Sequence, residues 1–202
     1  MTPSNYHHGD LPAALRAATA ELITERGPTG FSLREVARRA GVSHAAPAHH
    51  FGGSEGLLTS VATEGFETLS SAFDAAVDGI TDPVDRLNAM GKAYVMTALE
   101  FPGHFGVMCT DELIDSSDDA FVAASMGAYQ RLLEAIRAIR DLHNPELDVD
   151  AAATMTWSAV HGFASLQSSL SGVARKSEAT LRTVDETLNS FTSMMMNGYR
   201  AR

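Results

Sequence analysis

Residues 31–58 read FSLREVARRAGVSHAAPAHHFGGSEGLL, and the order of caps, apolar positions and glycines in this stretch decides the fold. Ser32 and Glu35 form a capping box at the start of a helix. Leu33, Val36, Ala37 and Ala40 fall on one face of that helix, and Gly41 supplies the left-handed residue that ends it. Ser43 caps a second, very short helix holding His44 to about His50. Pro47 stands at the end of its first turn, where few intrahelical bonds can be lost. Two short helices across a tight glycine turn make a helix-turn-helix, whose first helix braces while the second enters the major groove of DNA. Val36, Ala37, Ala40, Val42 and Phe51 would lock the pair together, leaving His44, Ala45, Ala46, Ala48 and His49 facing outward. From spacing alone, a generic helical hairpin is an equally good account.

The flanking sequence extends the helical pattern in both directions. Asp10 is the N-cap of a helix to about Arg26 with Leu11, Leu15, Ala18 and Leu22 on one face, stopped by Gly27-Pro28. A long helix starts at Ser54 and Glu55 and reaches about Asp78. Thr81 or Asp82 caps the next, with Pro83 at its favoured first position. It stops near Phe101-Pro102-Gly103 and is followed by a short element, His104 to Thr110, and an acidic loop through Ser117. A helix from about Asp118 to Leu142 carries Phe121, Leu132, Ile139 and Leu142 on one stripe, with Val122, Met126, Tyr129, Leu133 and Ile136 beside them. Asn144-Pro145 ends it, and two further helices run about Asp150–Ser171 and, capped by Thr180, Leu181–Tyr199. Strand-period alternation and repeats of 20–50 residues are both missing. The expected fold is all-α with about nine helices.

Composition narrows the class. The chain has 202 residues, 45% apolar and 20% charged, an ordinary globular balance. Its single cysteine, Cys109, excludes a disulfide framework and a multi-cysteine zinc site. The start, MTPSNYHHGD, lacks the basic and apolar regions of a secretory signal. The uncharged stretch from Ala151 to Ala174 is too rich in small polar residues to span a bilayer. The expectation is a soluble, cytoplasmic protein with no membrane partner. Lys+Arg 15 against Asp+Glu 25 gives a net charge of -10, at first sight hostile to nucleic acid. The charge is uneven, however. Residues 1–60 hold 5 arginines and 5 acidic residues, so the remainder carries the whole -10, while five of the 8 histidines lie in those first 60.

LREVARRAGVS (33–43), HHF (49–51) and SEGLL (54–58) stand in the order found in one family. On them, residues 10–60 resemble the DNA-binding domain of the TetR family of bacterial transcriptional regulators. The resemblance covers about a quarter of the chain closely. It implies three DNA-binding helices plus about six more, with residues 1–56 as the helix-turn-helix domain, 1–9 as its arm, and 57–202 as the ligand-binding and dimerisation domain. The family usually has Tyr where this chain has Ala48, and Lys where it has Ser54, residues that typically contact phosphates in the resembled proteins. Losing the Lys removes about one released counterion per subunit. The chain is therefore either a weakly anchored DNA binder or one whose DNA binding is impaired. Arg34, Ser32 and Ser43 remain for phosphates, and His44, Ala45, Ala46 and His49 for base edges. Arg38 and Arg39 add positive potential. His50 joins this face or, the favoured alternative, packs at the helix end beside Phe51. Binding is expected to have a shallow salt dependence and to be tighter near pH 6 than near pH 8, as histidine protonation adds charge. The segment Tyr6-His7-His8-Gly9-Asp10 is an arm to a neighbouring groove or a frayed terminus. Its two histidines lack a third ligand, so no metal site is expected.

The second part reads as a sensor and an interface. Leu181, Val184, Leu188, Phe191 and Met195 recur at spacings of 3, 4, 3 and 4, as in a helix packed along another. The preceding helix carries Ala152, Met155, Ala159, Phe163, Leu166 and Leu170 on one stripe and Trp157, His161 and Ala164 on another. Apolar residues on two faces imply burial on two sides. The simplest account is a four-helix homodimer interface built by Phe163, Leu166, Leu170, Val184, Leu188, Phe191 and Met195; the other is a pair buried within one subunit. The run WSAVHG (157–162) resembles a C-terminal signature of one TetR branch. The resemblance also implies a ligand pocket, with candidates Tyr94, Met96, Phe101, Phe105, Met108, Met126, Tyr129, Trp157 and His161, any of which is otherwise plain core. Trp157 and His161, one turn apart, offer a polar handle among apolar groups, and Cys109, beside Met108, is a redox or soft-metal sensor or, as is usual for a lone buried cysteine, an inert thiol. A glycine-rich phosphate loop, a serine elbow and a metal-ligand cluster are all missing, so no catalytic residue, metal or cofactor is assigned. The leading expectation is a homodimeric repressor that a small apolar effector releases from a double-stranded DNA operator, with the helix from Ser54 as the lever. The alternative is an all-α small-molecule or partner-binding protein with impaired DNA binding.

Overall fold

A computed structural model describes residues 10–168 and 178–198. Among them the regular structure is entirely helical: α1 (Leu11–Arg26), α2 (Leu33–Arg39), α3 (Ala46–Phe51), α4 (Ser54–Ala76), α5 (Pro83–Glu100), α6 (Pro102–Met108), α7 (Asp119–His143), α8 (Val149–Ser168) and α9 (Glu178–Gly198). The all-α expectation holds. No helix among the described residues is long and apolar enough to cross a membrane.

Local chemistry sets most boundaries. Asp10 caps α1 by accepting the Ala13 N–H at 3.0 Å, and Asp82 caps α5 by accepting from Val84 and Asp85 at 2.8 and 3.0 Å. Ser32 caps α2 through the Glu35 N–H at 3.3 Å. At the other end of α2, Gly41 takes φ +70°. The Val42 N–H then reaches back to the Ala37 carbonyl at 2.9 Å and Gly41 N–H to Arg38 at 3.2 Å, a Schellman pair. α3 starts two residues later than expected, at Ala46, with no side-chain cap from Ser43. Pro47 is tolerated at the second helical position, because its missing N–H falls among the donors of the first turn that have no intrahelical partner. Thr180 lies inside α9, which starts at Glu178, and so is not its N-cap.

The chain forms two compact units. One holds the described residues of Met1–Gly65 with Pro102–Val122; the other holds those of Phe66–Phe101 with Ala123–Arg202. In the first, Leu15, Ala18 and Leu22 of α1, Val36 of α2 and Leu57 of α4 form the core, with Phe31, Leu33, Ala40, Val42 and Phe51 packed on it. α6 lies against α1. Gly103 makes that approach possible: a Cβ there would sit 2.0 Å from the Ala20 carbonyl oxygen.

In the second unit α5 packs against both α8 and α9. Lys92 pairs with Asp185 at 3.0 Å, and Asn88 donates to Asn189 at 2.9 Å. Arg131 of α7 clamps Asp74 of α4 with two hydrogen bonds of 2.7 Å, which hold the Asp74 carboxyl below its usual range. On α7, Phe121, Leu132, Leu133, Ile136 and Ile139 are buried, but Leu142, Val122 and Met126 are exposed, contrary to the stripes expected for them.

Candidate DNA interface and ligand pocket

The candidate DNA-reading surface is built on α3 and its entry turn. His44, Ala45, Ala48, His49 and His50 are exposed, Ala46 is half-buried and Pro47 is buried. Ala46 is thus less available than expected. His50 is a second revision: its ring does not pack away beside Phe51 but meets His49 edge-on, with centroids 5.3 Å apart. Ser32, Arg34 and Ser43 are exposed as well, so the residues assigned to phosphates are open to solvent.

Ion pairs explain why this part of the chain is electrically quiet. Arg39 forks onto Glu25 at 2.7 and 2.8 Å. These hydrogen bonds lower the Glu25 carboxyl and raise the guanidinium of Arg39. Arg26 meets Glu35 at 2.8 Å, Arg16 meets Glu64 at 3.0 Å, and Arg38 sits loosely by Glu35 at 3.8 Å. The expected contribution of Arg39 to positive potential is therefore largely cancelled. Among the described residues, Arg34 is the arginine of residues 1–60 with no carboxylate within ion-pair distance.

Ser54, at the start of α4, lines a depression of about 690 Å³ together with His50, Thr59, Asp115 and Asp118. The Asp115 N–H donates to the Thr59 hydroxyl at 2.9 Å, which ties the acidic loop to α4. The two aspartates bring negative charge to a depression where a lysine in place of Ser54 would have supplied positive charge.

Of the pocket candidates, four gather in the second unit. Tyr94 is 3% exposed, and its hydroxyl lies 2.9 Å from Nδ1 of His161, the donor being set by the imidazole tautomer. Burial pushes His161 below the ordinary histidine range, favouring the neutral ring. Trp157 meets Tyr94 edge-on at 5.5 Å and Tyr129 at 6.0 Å. A void of about 20 Å³ lies against Tyr94 and Trp157, with Phe73 and Met90 in its walls. That is room for about one water, which needs roughly 10–15 Å³ of such space, so ligand entry requires these side chains to part.

The other candidates are placed elsewhere. Met126 and Phe101 are 47% and 37% exposed, and Met96 is half-buried. Phe105 and Met108 belong to α6 in the first unit, where Met108 packs over Gly65. Cys109 is exposed, not buried, and partial desolvation with the charge of Asp111 pushes its thiol up, which makes it a poorer nucleophile. No group of three metal-ligating side chains comes together among the described residues.

The interface set also divides. Val184 and Leu188 are 1% and 8% exposed within the chain itself. Leu188 fits over Gly91 of α5, where a Cβ would come within 2.8 Å of its Cδ2. These two therefore face the chain's own core, as correction to the interface expectation. On α8 the inward residues are Ala153, Thr156, Val160 and Ala164, whereas Met155 and Leu166 stand 54% and 71% exposed and Phe163 is half-buried. Leu170 and the arm, with His7 and His8, lie outside the described residues, as do the side chains of Leu181, Phe191 and Met195. The short element expected at His104 to Thr110 is α6, two residues earlier, and its packing against α1 went unread. The signal was Gly103 and Gly106 at helical i, i+3 spacing, a face that lets two backbones approach; a Cβ on Gly106 would meet Ile23 at 3.3 Å.

Comparison with known proteins supplies the lineage. Residues 15–61 match the model of the bacterial regulatory proteins of the tetR family. Residues 87–191, slightly over half of the 202-residue chain, match the tetracyclin repressor-like C-terminal domain. The HTH-type transcriptional regulatory protein RaaS of Mycobacterium tuberculosis is 30% identical over 115 residues, which span 53% of this chain and 53% of that relative. A protein of unknown function from Rhodococcus sp. RHA1 is 27% identical, with a TM-score of 0.76 over 96% of this chain and 98% of its own. FadR of Bacillus subtilis, solved in complex with stearoyl-CoA, shares the fold at 14% identity, with a TM-score of 0.71 over 93% of this chain and 99% of its own. With one family model over the helix-turn-helix and another over more than half of its length, the chain belongs to the TetR family of bacterial transcriptional regulators.

Proposed function

We propose that the chain is a non-catalytic, homodimeric transcriptional repressor that a small, largely apolar molecule releases from its operator. In this reading residues 1–56 read DNA, and residues 57–202 bind the effector and dimerise. The single observation that carries it is the outward set on and before α3: His44, Ala45, His49 and His50 exposed around a buried Pro47, with Ser32, Ser43 and the unpaired Arg34 also exposed. Alanine methyls suit thymine methyl groups, and the hydroxyls and guanidinium suit phosphates.

Tyr94, Tyr129, Trp157 and His161 support the effector half, as an apolar aromatic cluster containing one polar pair. The stearoyl-CoA bound by FadR of Bacillus subtilis is a precedent in the same fold for an effector with an apolar tail. Ligand would favour one arrangement of the helices over another, and α4, running from Ser54 by the recognition turn to Ala76, is the lever. Met155 and Leu166 on the outer face of α8 are the residues offered to a partner subunit, giving two recognition helices for half-sites about 34 Å apart. A gel shift with the DNA flanking its own gene tests the proposal: absence of any sequence-selective shift at low salt refutes it.

A second reading, a ligand-binding protein with impaired DNA binding, is favoured by Ala48, Ser54 and the paired arginines. Recovery of operator binding in an Ala48→Tyr/Ser54→Lys variant, with a salt slope steeper by about 0.9 per subunit, identifies that case.

A further inference from the structure

A cleft of about 200 Å³ opens on the second unit among the end of α4, the start of α5 and the middle of α7. Its apolar lining includes Phe73, Val77, Met90 and Ala138, and its charged groups are Asp74, Arg86, Arg131 and Glu134. Two of these charges cancel, because Arg131 is clamped to Asp74 by two hydrogen bonds of 2.7 Å. Arg86 is different. Its Nη1 donates to the backbone carbonyls of Val77 and Ile80 at 3.2 and 2.9 Å, which fixes the guanidinium at the cleft. Among the described residues its Nε and Nη2 have no acceptor, and no carboxylate lies within ion-pair distance.

Phe73 and Met90 line both this cleft and the void of about 20 Å³ against Tyr94 and Trp157. They are the wall between the two spaces. Met90 is unbranched and adapts its shape readily, so that wall can part around a chain of methylenes. The cleft itself holds about seven groups at roughly 30 Å³ each, which limits the occupant to a short molecule. An apolar trough beside an unpaired, immobilised guanidinium takes a carboxylate head with an alkyl tail: the head gains charge-assisted hydrogen bonds and the tail leaves water.

We propose that this cleft binds an aliphatic carboxylate of roughly four to eight carbons, its head on Arg86 and its tail passing Phe73 and Met90 toward Trp157. The inference rests on the effector reading above and gives that effector a chemical class and a way in. Glu134 opposes the head's charge and so limits affinity.

The test titrates the full chain with sodium octanoate, using 1-octanol and octyltrimethylammonium as controls with the same tail. Binding is followed by calorimetry and by the emission of Trp157, the chain's single tryptophan. Octanoate is expected to shift that emission and to bind at least about tenfold more tightly than octanol. Arg86→Gln should remove the advantage. Because Arg86 also ties the α4–α5 turn, two variants that spare it accompany the test: Glu134→Gln should tighten octanoate, and Ala138→Phe, filling the cleft from an exposed position, should abolish its binding. Octanol binding as tightly as octanoate, or octanoate affinity unchanged in both sparing variants, overturns the proposal. If octanol alone shifts Trp157 and releases operator DNA, the carboxylate site falls and the effector reading stands. If octanoate binds through Arg86 without altering Trp157 emission or DNA binding, the carboxylate site stands, while its route to Trp157 and the effector reading fall.

Discussion

Replacing Gly103 with alanine tests the close approach of α6 to α1 in the first unit. A Cβ at this position would lie 2.0 Å from the oxygen of Ala20, 2.7 Å from its carbonyl carbon and 2.9 Å from its Cα. All three are backbone atoms, so no side-chain rotation relieves the clash. Restoring even the 3.0 Å limit for Cβ contacts requires α6 and α1 to separate locally by 3.0 minus 2.0, or 1.0 Å. Forced overpacking of this kind costs about 1–3 kcal/mol, and alanine's better helix propensity returns at most about 1 kcal/mol. A clash with backbone alone takes the upper part of that range, about 2–3 kcal/mol, so the net loss is about 1–2 kcal/mol, a Tm lower by roughly 2–8 °C for a chain of this length. Gly127→Ala is the matched control. Its Cβ would meet only Arg131 Nη1 at 3.7 Å, an ordinary contact, so propensity alone acts and Tm should rise by roughly 1–4 °C. Thermal unfolding followed by circular dichroism at one fixed protein concentration measures both. A Gly103→Ala protein as stable as the parent would refute the close α1–α6 contact.

Further outcomes follow from single features of the two units. Arg34→Ala should weaken operator binding and flatten the logarithmic salt slope by about 0.9 per subunit, whereas Arg39→Ala, whose charge Glu25 already engages, should leave that slope unchanged; equal effects in filter-binding titrations would show that the ion pair does not hold in solution. Burial depresses His161, so as pH falls through about 6.5 the unfolded chain takes up a proton that the folded chain resists. Stability should therefore decline below that pH and decline less in His161→Gln, and parallel Tm-against-pH curves would contradict it. Leu166→Glu places a charge on a side chain 71% exposed in the chain; it should leave the subunit folded but shift sedimentation from dimer to monomer, and an unchanged dimer would remove the outer face of α8 from the interface.

The fold was legible where the signals are local. Ser32 with Glu35, Gly41, and the apolar face of Val36 and Ala37 fix α2 and its turn within ten residues, and the structure follows them. What failed depended on partners distant in sequence. The pairing of Arg39 with Glu25, 14 residues away, turned an expected positive patch into a neutral one. Periodicity marked α9 as a packing helix but carries no label for which neighbour it packs on; Gly91, on another helix, receives Leu188. Hydrophobicity likewise placed Leu142 and Met126 inside, where they are exposed. For the site, Trp157 and His161 were readable as one turn of helix, while the partner that completes them, Tyr94, lies 67 residues from His161.

The carboxylate-paired arginines carry a consequence on the scale of the genome. Attraction to arbitrary DNA is set mainly by how many phosphates a protein neutralises, and Arg16, Arg26 and Arg39 each lie within 3.0 Å of a carboxylate of their own chain. A regulator built this way lingers only briefly at the millions of competing positions along a chromosome. Occupancy of one operator depends on the ratio of specific to random binding and not on either strength alone, so a weak grip lowers the number of copies lost to the wrong sites. On the proposed repressor reading, few molecules per cell then keep a single promoter under control, and a modest change in effector concentration empties it.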